Sequence, residues 1–277
     1  MTERAIMAGM ERVRGAARVE LRARTGVPQP DAWGLGDLYQ QGAARALLPE
    51  AGGQAEVVFL NTAGGLTGGD QLDYRLTLGN RVRATATTQT AERAYRSASG
   101  AARMALRFEV GAGAWLDWLP QETILFDRAH LVRRTEIRLH AQAAGCLALE
   151  AVVLGRAAMG ETLRRLDFHD SRRIWRGDRL VFADPVHLTD ASLGSDPAGL
   201  GGARAFASLV LVGEGAEDAV QPLRGLLDEA GVRAAASALP GRLSLRALAV
   251  DGWPLRRLLA RVLTQLRRKP LPRVWQM

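Results

Sequence analysis

A chain of 277 residues, 47% of them hydrophobic, can bury a large core as one big domain or two smaller ones, and this composition excludes general disorder. No apolar run approaches the ~18–20 residues of a membrane-spanning helix, and the opening MTERAIMAGMERVRG carries charge too early for a signal peptide. The single cysteine, Cys146, excludes an internal disulfide and any multi-thiolate metal site and suits a reducing cytoplasm, while the net charge of +8 is local: residues 231–277 hold ten basic residues against one acid, and residues 1–230 carry 27 against 28.

Residues 18–190 read as repeated short strands. LTLGNRVRATATT places Gly79-Asn80 between two strand-like runs, a hairpin signal. RMALRFEV alternates Met104, Leu106, Phe108 and Val110 with charged residues, the period of a half-buried strand, and GAG at 111–113 then turns the chain into AWLDWLP. LVRRTEIRL (131–139) and CLALEAVVLG (146–155) continue the series, the second as a central strand in which Cys146 is inert packing. IWRGDRLVF repeats the hairpin signal at Gly177-Asp178. Strands at roughly ten-residue spacing fit a sandwich, a barrel or a stacked β architecture, and pattern alone favours the sandwich.

The character changes near residue 190. ASLGSDPAGLGGA reads as a loop and FASLVLVG as a strand. Val220, Leu223, Leu226, Leu227 and Ala230 predict a helix over 217–230, with Pro222 early and Gly231 past its end. VRAAASAL and RLSLRALAV read as strands. Leu255, Leu258, Leu259, Val262, Leu263 and Leu266 then predict a final helix, capped by Asp251, with Arg267, Arg268 and Lys269 at its negative end. The division is a β region over 1–190 and a C-terminal α+β segment over 191–277 packed on it as one continuous unit.

Several motifs invite chemistry. NTAGGLTGGDQL holds the pairs Gly64-Gly65 and Gly68-Gly69, followed at once by Asp70. A phosphate loop would open a helix, whereas QLDYRLTL reads as a strand, so tight turns are the simpler reading. Glu122 in LPQETILF, Glu150 in CLALEAVVLGR, Glu161 in GRAAMGETL and Asp184 in LVFADPVHL share apolar neighbours with Asp70. Together these five acids could line a polar passage or bind a cation through oxygen, or form buried ion pairs that serve only the fold; Arg156 is a candidate partner for Glu150. His130, His140, His169 and His187 make no i, i+3 or i, i+4 pair, so no helical metal face exists. TTQTAERAYRS offers Arg93, Tyr95 and Arg96, residue types common at protein interfaces. Arg256, Arg257, Arg261 and Arg268 are read either as solvated charge or as an arginine face for an acidic partner.

NTAGGLTGGDQL, TTQTAERAYRS, WLDWLPQETILF, LGRAAMGETL and the closing LPRVWQM, in this order, resemble the UreD (UreH) family of urease accessory proteins; the similarity runs from about Asp37 to the C-terminus, with RGAARVELRA matching more loosely before it. The resemblance implies a mainly β fold, an elongated β-helix-like stack of short strands with two helices near the C-terminus. It implies a cytoplasmic non-enzyme that binds apo-urease and UreF, and through UreF the GTPase UreG. It further implies no tightly bound cofactor but nickel in transit to the urease active site, along a polar tunnel whose acidic lining falls on Asp70, Glu150 and Asp184 with Arg156 nearby. Glu122 and Glu161 lie in matching motifs. Two readings from other classes stand beside this one: a hydrolase pairing Asp70 with Glu122 or Glu161 as acid and base, and a nucleic-acid module built on the basic C-terminal segment.

Overall fold

The computed structural model describes residues 12–24, 32–49, 54–156 and 159–276. The opening residues read above for a signal peptide, and Ala157 and Ala158 of the LGRAAMGETL motif, lie outside them. The first strands are β1 (Arg14–Ala23), β2 (Trp33–Gly42), β3 (Ala44–Leu47), β4 (Ala55–Asn61), β5 (Gln71–Leu78) and β6 (Arg83–Thr88). They are followed by β7 (Glu92–Ala94), β8 (Ala102–Val110), β9 (Trp115–Trp118), β10 (Thr123–Leu125), β11 (Ala129–Leu139) and β12 (Gly145–Leu154). Then come β13 (Leu166–Arg176), β14 (Arg179–Thr189), β15 (Ala205–Val212), helix α1 (Val220–Arg224), β16 (Val232–Leu239), β17 (Arg242–Ala249) and helix α2 (Gly252–Arg267).

The strands form two mixed sheets. The first has the order β14-β13-β11-β8-β5-β1-β2; the second runs β16-β17-β15-β12-β9-β6-β4-β3, with β10 beside β12 and β7 beside β10. From β4 to β13 the chain passes back and forth between the sheets, and successive strands within each sheet are parallel: β5, β8, β11 and β13 in the first, β4, β6, β9 and β12 in the second. This winding is the β-helix-like stack that the resemblance implied.

The winding also corrects one expectation. Gly79-Asn80 does not close a hairpin, because it carries the chain from β5 in one sheet to β6 in the other. Here Arg81 takes φ +64, and the bend stacks on the GAG bend of the next coil: Asn80 Oδ1 accepts from Ala112 N at 2.9 Å, and Arg81 N donates to Ala112 O at 2.8 Å. The same residue types serve a hairpin or a coil corner; the partners of the flanking strands decide which. At Gly177-Asp178 the expected hairpin does form, joining antiparallel β13 and β14.

Two apolar layers result. Between the sheets, inward residues such as Met104, Leu106, Phe108 and Val110 pack as their alternation predicts, with Phe108 and Trp118 centroids 4.8 Å apart and Phe59 stacked on Tyr74 at 4.8 Å. On the other face of the second sheet, Leu255, Leu258, Leu259, Val262 and Leu263 of α2 cover Leu147, Leu149, Leu209 and Leu245. Strand β12 is thus enclosed on both faces, the reason its sequence is a continuous apolar run. Strand β15 pairs with β12 and β17 with β15, so the C-terminal strands extend the second sheet.

Helix α2 begins and ends as expected: the Asp251 side chain accepts from Gly252 N, and Arg268 leaves the helix at φ +53. Helix α1 is much shorter than the apolar spacing predicts. A 3-10 turn over Ala216–Ala219 leads into it, and Gly225 ends it. The residues that would have continued it turn their polar groups to α2: Glu229 pairs with Arg257 and Arg261, and the Asp228 carbonyl accepts from Arg261 at 2.8 Å. Tertiary ion pairs outweigh the weak helical preference there.

Candidate functional site

The loop NTAGGLTGGDQL joins β4 to β5 and lies against AERAYRS. Gly64 and Gly69 sit at φ +76 and +92, where other residues are strained. A Cβ on Gly65 would come within 2.3 Å of the Tyr95 ring, and one on Gly68 within 2.1 Å of Ser97 Oγ. The missing side chains let the two segments bond backbone to backbone: Leu66 N donates to Arg93 O at 2.7 Å and Tyr95 N to Leu66 O at 2.8 Å. Tyr95 Oη and Arg93 Nη1 both donate to Gly64 O at 3.3 Å, and Thr67 Oγ1 donates to Arg96 O at 2.9 Å. Asp70 is buried, and its carboxylate accepts from Val13 N (2.9 Å) and Thr67 N (2.8 Å), which pins the loop to the start of β1.

A layer of charge lies between the two sheets. On the second sheet Arg246, Ser208 and Glu150 are neighbours across β17, β15 and β12. On the first, Asp184, Arg172 and Thr135 are neighbours across β14, β13 and β11, and Asp170 stands beside Arg133. Arg133 clamps Asp170 with two bonds (Nε–Oδ1 3.0 Å, Nη2–Oδ2 2.6 Å) and reaches across to Glu150 Oε2 at 2.8 Å and to Thr123 Oγ1 at 2.8 Å. Trp118 Nε1 donates to Glu150 Oε1 at 3.0 Å. Arg172 donates to Asp184 Oδ2 (3.1 Å), to Ser208 Oγ (2.6 Å) and to the Ala148 and Ser208 carbonyls (3.2 and 3.0 Å). Arg246, 70% exposed in its side chain, pairs with Asp184 from the rim. Near the glycine loop stands Glu92, held by Asn61 Nδ2 at 3.1 Å.

Burial pushes the Glu150 carboxyl up against the pull of the Arg133 guanidinium, and it pushes Glu92 up to about 7. The layer is not closed in on itself. Arg172 Nε and Thr135 Oγ1, on register partners of β13 and β11, are buried with no hydrogen-bond partner in the protein. Orphaned polar atoms in a packed interior are the usual mark of a place for water or an ion.

The structure thus gathers Glu150 and Asp184 into one layer and leaves Asp70, Glu122 and Glu161 elsewhere. Glu122 meets Arg256 of α2 at 3.2 Å. Glu161 accepts from Arg156 Nε at 2.9 Å and from Asp127 N at 3.2 Å; burial would raise its carboxyl, but these bonds hold it below the usual range. Arg156 is therefore the partner of Glu161 and not of Glu150, whose partner is Arg133. Among the described contacts no two of Asp70, Glu122 and Glu161 share one, so the acid–base pairs of the hydrolase reading are not assembled.

The nucleic-acid reading also loses its footing. Six of the ten basic residues after 230 are tied to the chain's own acids: Arg246 to Asp184, Arg256 to Glu122, Arg257 and Arg261 to Glu229, and Arg267 and Lys269 to Asp117. Arg256, Arg257 and Arg261 are thereby internal fasteners more than a free arginine face.

Sequence reasoning passed over Arg133, Asp170, Arg172 and Asp117. The signal for the first three was alternation: Arg133 shares the inward phase of Leu131 and Ile137, and Asp170 and Arg172 that of Phe168 and Ile174. Asp117 gave a signal in its two tryptophan neighbours, Trp115 being now its hydrogen-bond donor at 2.8 Å.

The quoted motifs also meet in space. Gln121 of LPQETILF donates to Val274 O at 3.1 Å and Trp275 Nε1 to Leu119 O at 3.0 Å, so LPRVWQM is clipped onto it. No helix among the described residues is long and apolar enough to cross a membrane.

Known proteins resemble this chain over nearly its whole length. The family model described as UreD urease accessory protein matches residues 13–276. A protein of Cereibacter sphaeroides (strain ATCC 17025 / ATH 2.4.3) named urease accessory protein UreD is 58% identical over 270 residues, covering 96% of each chain. The Paracoccus denitrificans (strain Pd 1222) protein of that name is 54% identical over 270 residues, covering 96% of this chain and 93% of its own. One from Rhizobium leguminosarum bv. trifolii (strain WSM2304) is 44% identical over 247 residues, covering 88% and 89%. With a family model spanning nearly every residue, and with relatives this similar over most of their length, the chain belongs to the UreD family of urease accessory proteins.

Proposed function

We propose that the protein is a non-enzymatic scaffold of urease maturation that docks apo-urease and UreF, and through UreF the GTPase UreG, in the cytoplasm. On this reading Ni²⁺ is cargo and crosses the protein through the layer between the sheets. The observation that carries the reading is the buried cluster of Arg133, Glu150 and Asp170 beside Arg172 and Asp184, with two polar atoms left unpartnered. A core built for stability alone gains little from buried ion pairs over apolar side chains of the same volume. Carboxylates hold Ni²⁺ less firmly than imidazole or thiolate, and a conduit must let its ion go. Asp70 contributes by holding the glycine loop in place, and Arg93, Tyr95 and Arg96 offer that end of the stack as a docking surface.

The test is a double substitution, Glu150→Gln with Asp184→Asn, which keeps side-chain shape while removing both charges. The expected variant is folded by circular dichroism, co-purifies with UreF and apo-urease, and activates urease at least tenfold less at limiting nickel. Full activation by that variant rejects the conduit; loss of co-purification without loss of fold would instead assign these residues to docking.

A further inference from the structure

Outside the layer, on the solvent face of the first sheet, the strands bring three of the four histidines onto one carboxylate. Asp167 and His169 are two apart on β13 and so share a face. His187 on β14 lies directly opposite His169, and His130 on β11 directly opposite Asp167. His169 Nε2 and His187 Nε2 both aim at Asp167 Oδ1, at 3.1 and 3.3 Å, while His130 Nε2 lies 3.2 Å from Oδ2. The rings of His169 and His187 are stacked, with centroids 3.7 Å apart. One ligand atom from each of Asp167, His169 and His187 lies within 4.8 Å of the others.

The geometry points to a surface site for a single borderline divalent cation such as Ni²⁺, Zn²⁺ or Co²⁺, ligated by Asp167, His169 and His187 with His130 as the adjoining donor. Metal–nitrogen and metal–oxygen bonds of about 2.0–2.2 Å put tetrahedral ligand atoms about 3.3–3.6 Å apart, and the observed spacings lie at or just below that edge. Nitrogen donors with one carboxylate select imidazole-preferring metals over Mg²⁺ or Ca²⁺. An ion entering between the ring nitrogens and the carboxylate replaces contacts that now converge on a single oxygen.

Asp167 serves two masters here. Its Oδ2 bond to His130 leaves Oδ1 free to ligate and orients the carboxylate, the arrangement that commonly supports metal-binding side chains. His130, His169 and His187 lie in the wall of an open groove, so the remaining coordination position is reachable by water or by a donor from a docked molecule. The site is separate from the interior layer. On β13, His169 faces out where the next residue, Asp170, faces in, so the backbone of the sheet stands between the two. The inference therefore holds whether or not the interior carries nickel.

Calorimetric titration of the untagged full chain with NiCl₂, and separately with ZnCl₂, at neutral pH tests it. One equivalent is expected to bind. His169→Gln with His187→Gln, both exposed on the solvent face, should weaken binding at least tenfold while leaving the circular dichroism spectrum unchanged, and Asp167→Asn should do the same. His140→Gln, at the one histidine that pairs elsewhere (with Glu109), should titrate as the unmodified chain does. The proposal fails if the unmodified chain binds neither metal, if the double histidine variant binds as well as it does, or if His140→Gln alone abolishes binding.

Discussion

Glu92 shows what one half-buried group does to the pH behaviour of the protein. Burial pushes its carboxyl up from 4.5 to about 7, with the Asn61 amide pulling the other way. The folded chain therefore holds that proton more tightly than the unfolded chain does. Its contribution to stability is complete below about pH 4.5 and is lost as the pH rises through 7. Urea midpoints measured from pH 4.5 to 7.5 should fall for the native chain relative to Glu92→Gln, which has no proton to lose; parallel curves would show that Glu92 ionises freely. Other residues here were legible in different degrees. Cys146 was read as inert, and it is buried with its thiol pushed up to about 12. Glu150 and Asp184 stood out as acids among apolar neighbours. Arg133 did not, because Arg134 beside it made the pair look like ordinary solvated charge, although only Arg133 faces inward. The histidine cluster escaped for a related reason: helical spacings were sought, while strand register brings together residues as distant in sequence as His130 and His187.

Among the elements, α2 was the most legible and α1 the least. The apolar positions of α2 recur without conflict, and its cap, its buried face and its last turn all agree. Leu259 is almost wholly buried between the helix and the second sheet. Leu259→Ala should cost about 2–5 kcal/mol, the range for a buried leucine that leaves a cavity, measured by chemical denaturation; a loss under about 1 kcal/mol would mean that the helix barely grips the sheet. The short α1 had the same kind of apolar spacing, but Glu229 is claimed by two arginines of α2, and no local pattern announces a claim made from thirty residues away. The final helix also ends differently from its simplest reading. Arg267 and Lys269 do not merely sit near the helix dipole; they close on Asp117 at 2.9 Å each. Burial alone would raise the Asp117 carboxyl, yet these two cations hold it below the usual range.

For the molecule as a whole, Arg133 ties the sheets together, since it clamps Asp170 on one and Glu150 on the other. Arg133→Met would leave two carboxylates buried without a cation and should cost about 3–5 kcal/mol, read from the shift in denaturation midpoint. A neutral effect would show that water already reaches the layer freely. Strand content and the rough positions of most strands could be read from alternation, but the assignment of each strand to a sheet could not, because a glycine-asparagine bend looks alike whether the chain doubles back or crosses over. The stacked coil has a lasting consequence for how its length can vary. Each middle strand is matched residue for residue to a parallel neighbour on either side, as β8 is to β5 and β11. One extra residue inside β8 would turn Phe108 outward, drive Arg107 inward and break step with both neighbours at once. The same residue added at a corner would only widen a loop, so growth and loss in this architecture are confined to its bends.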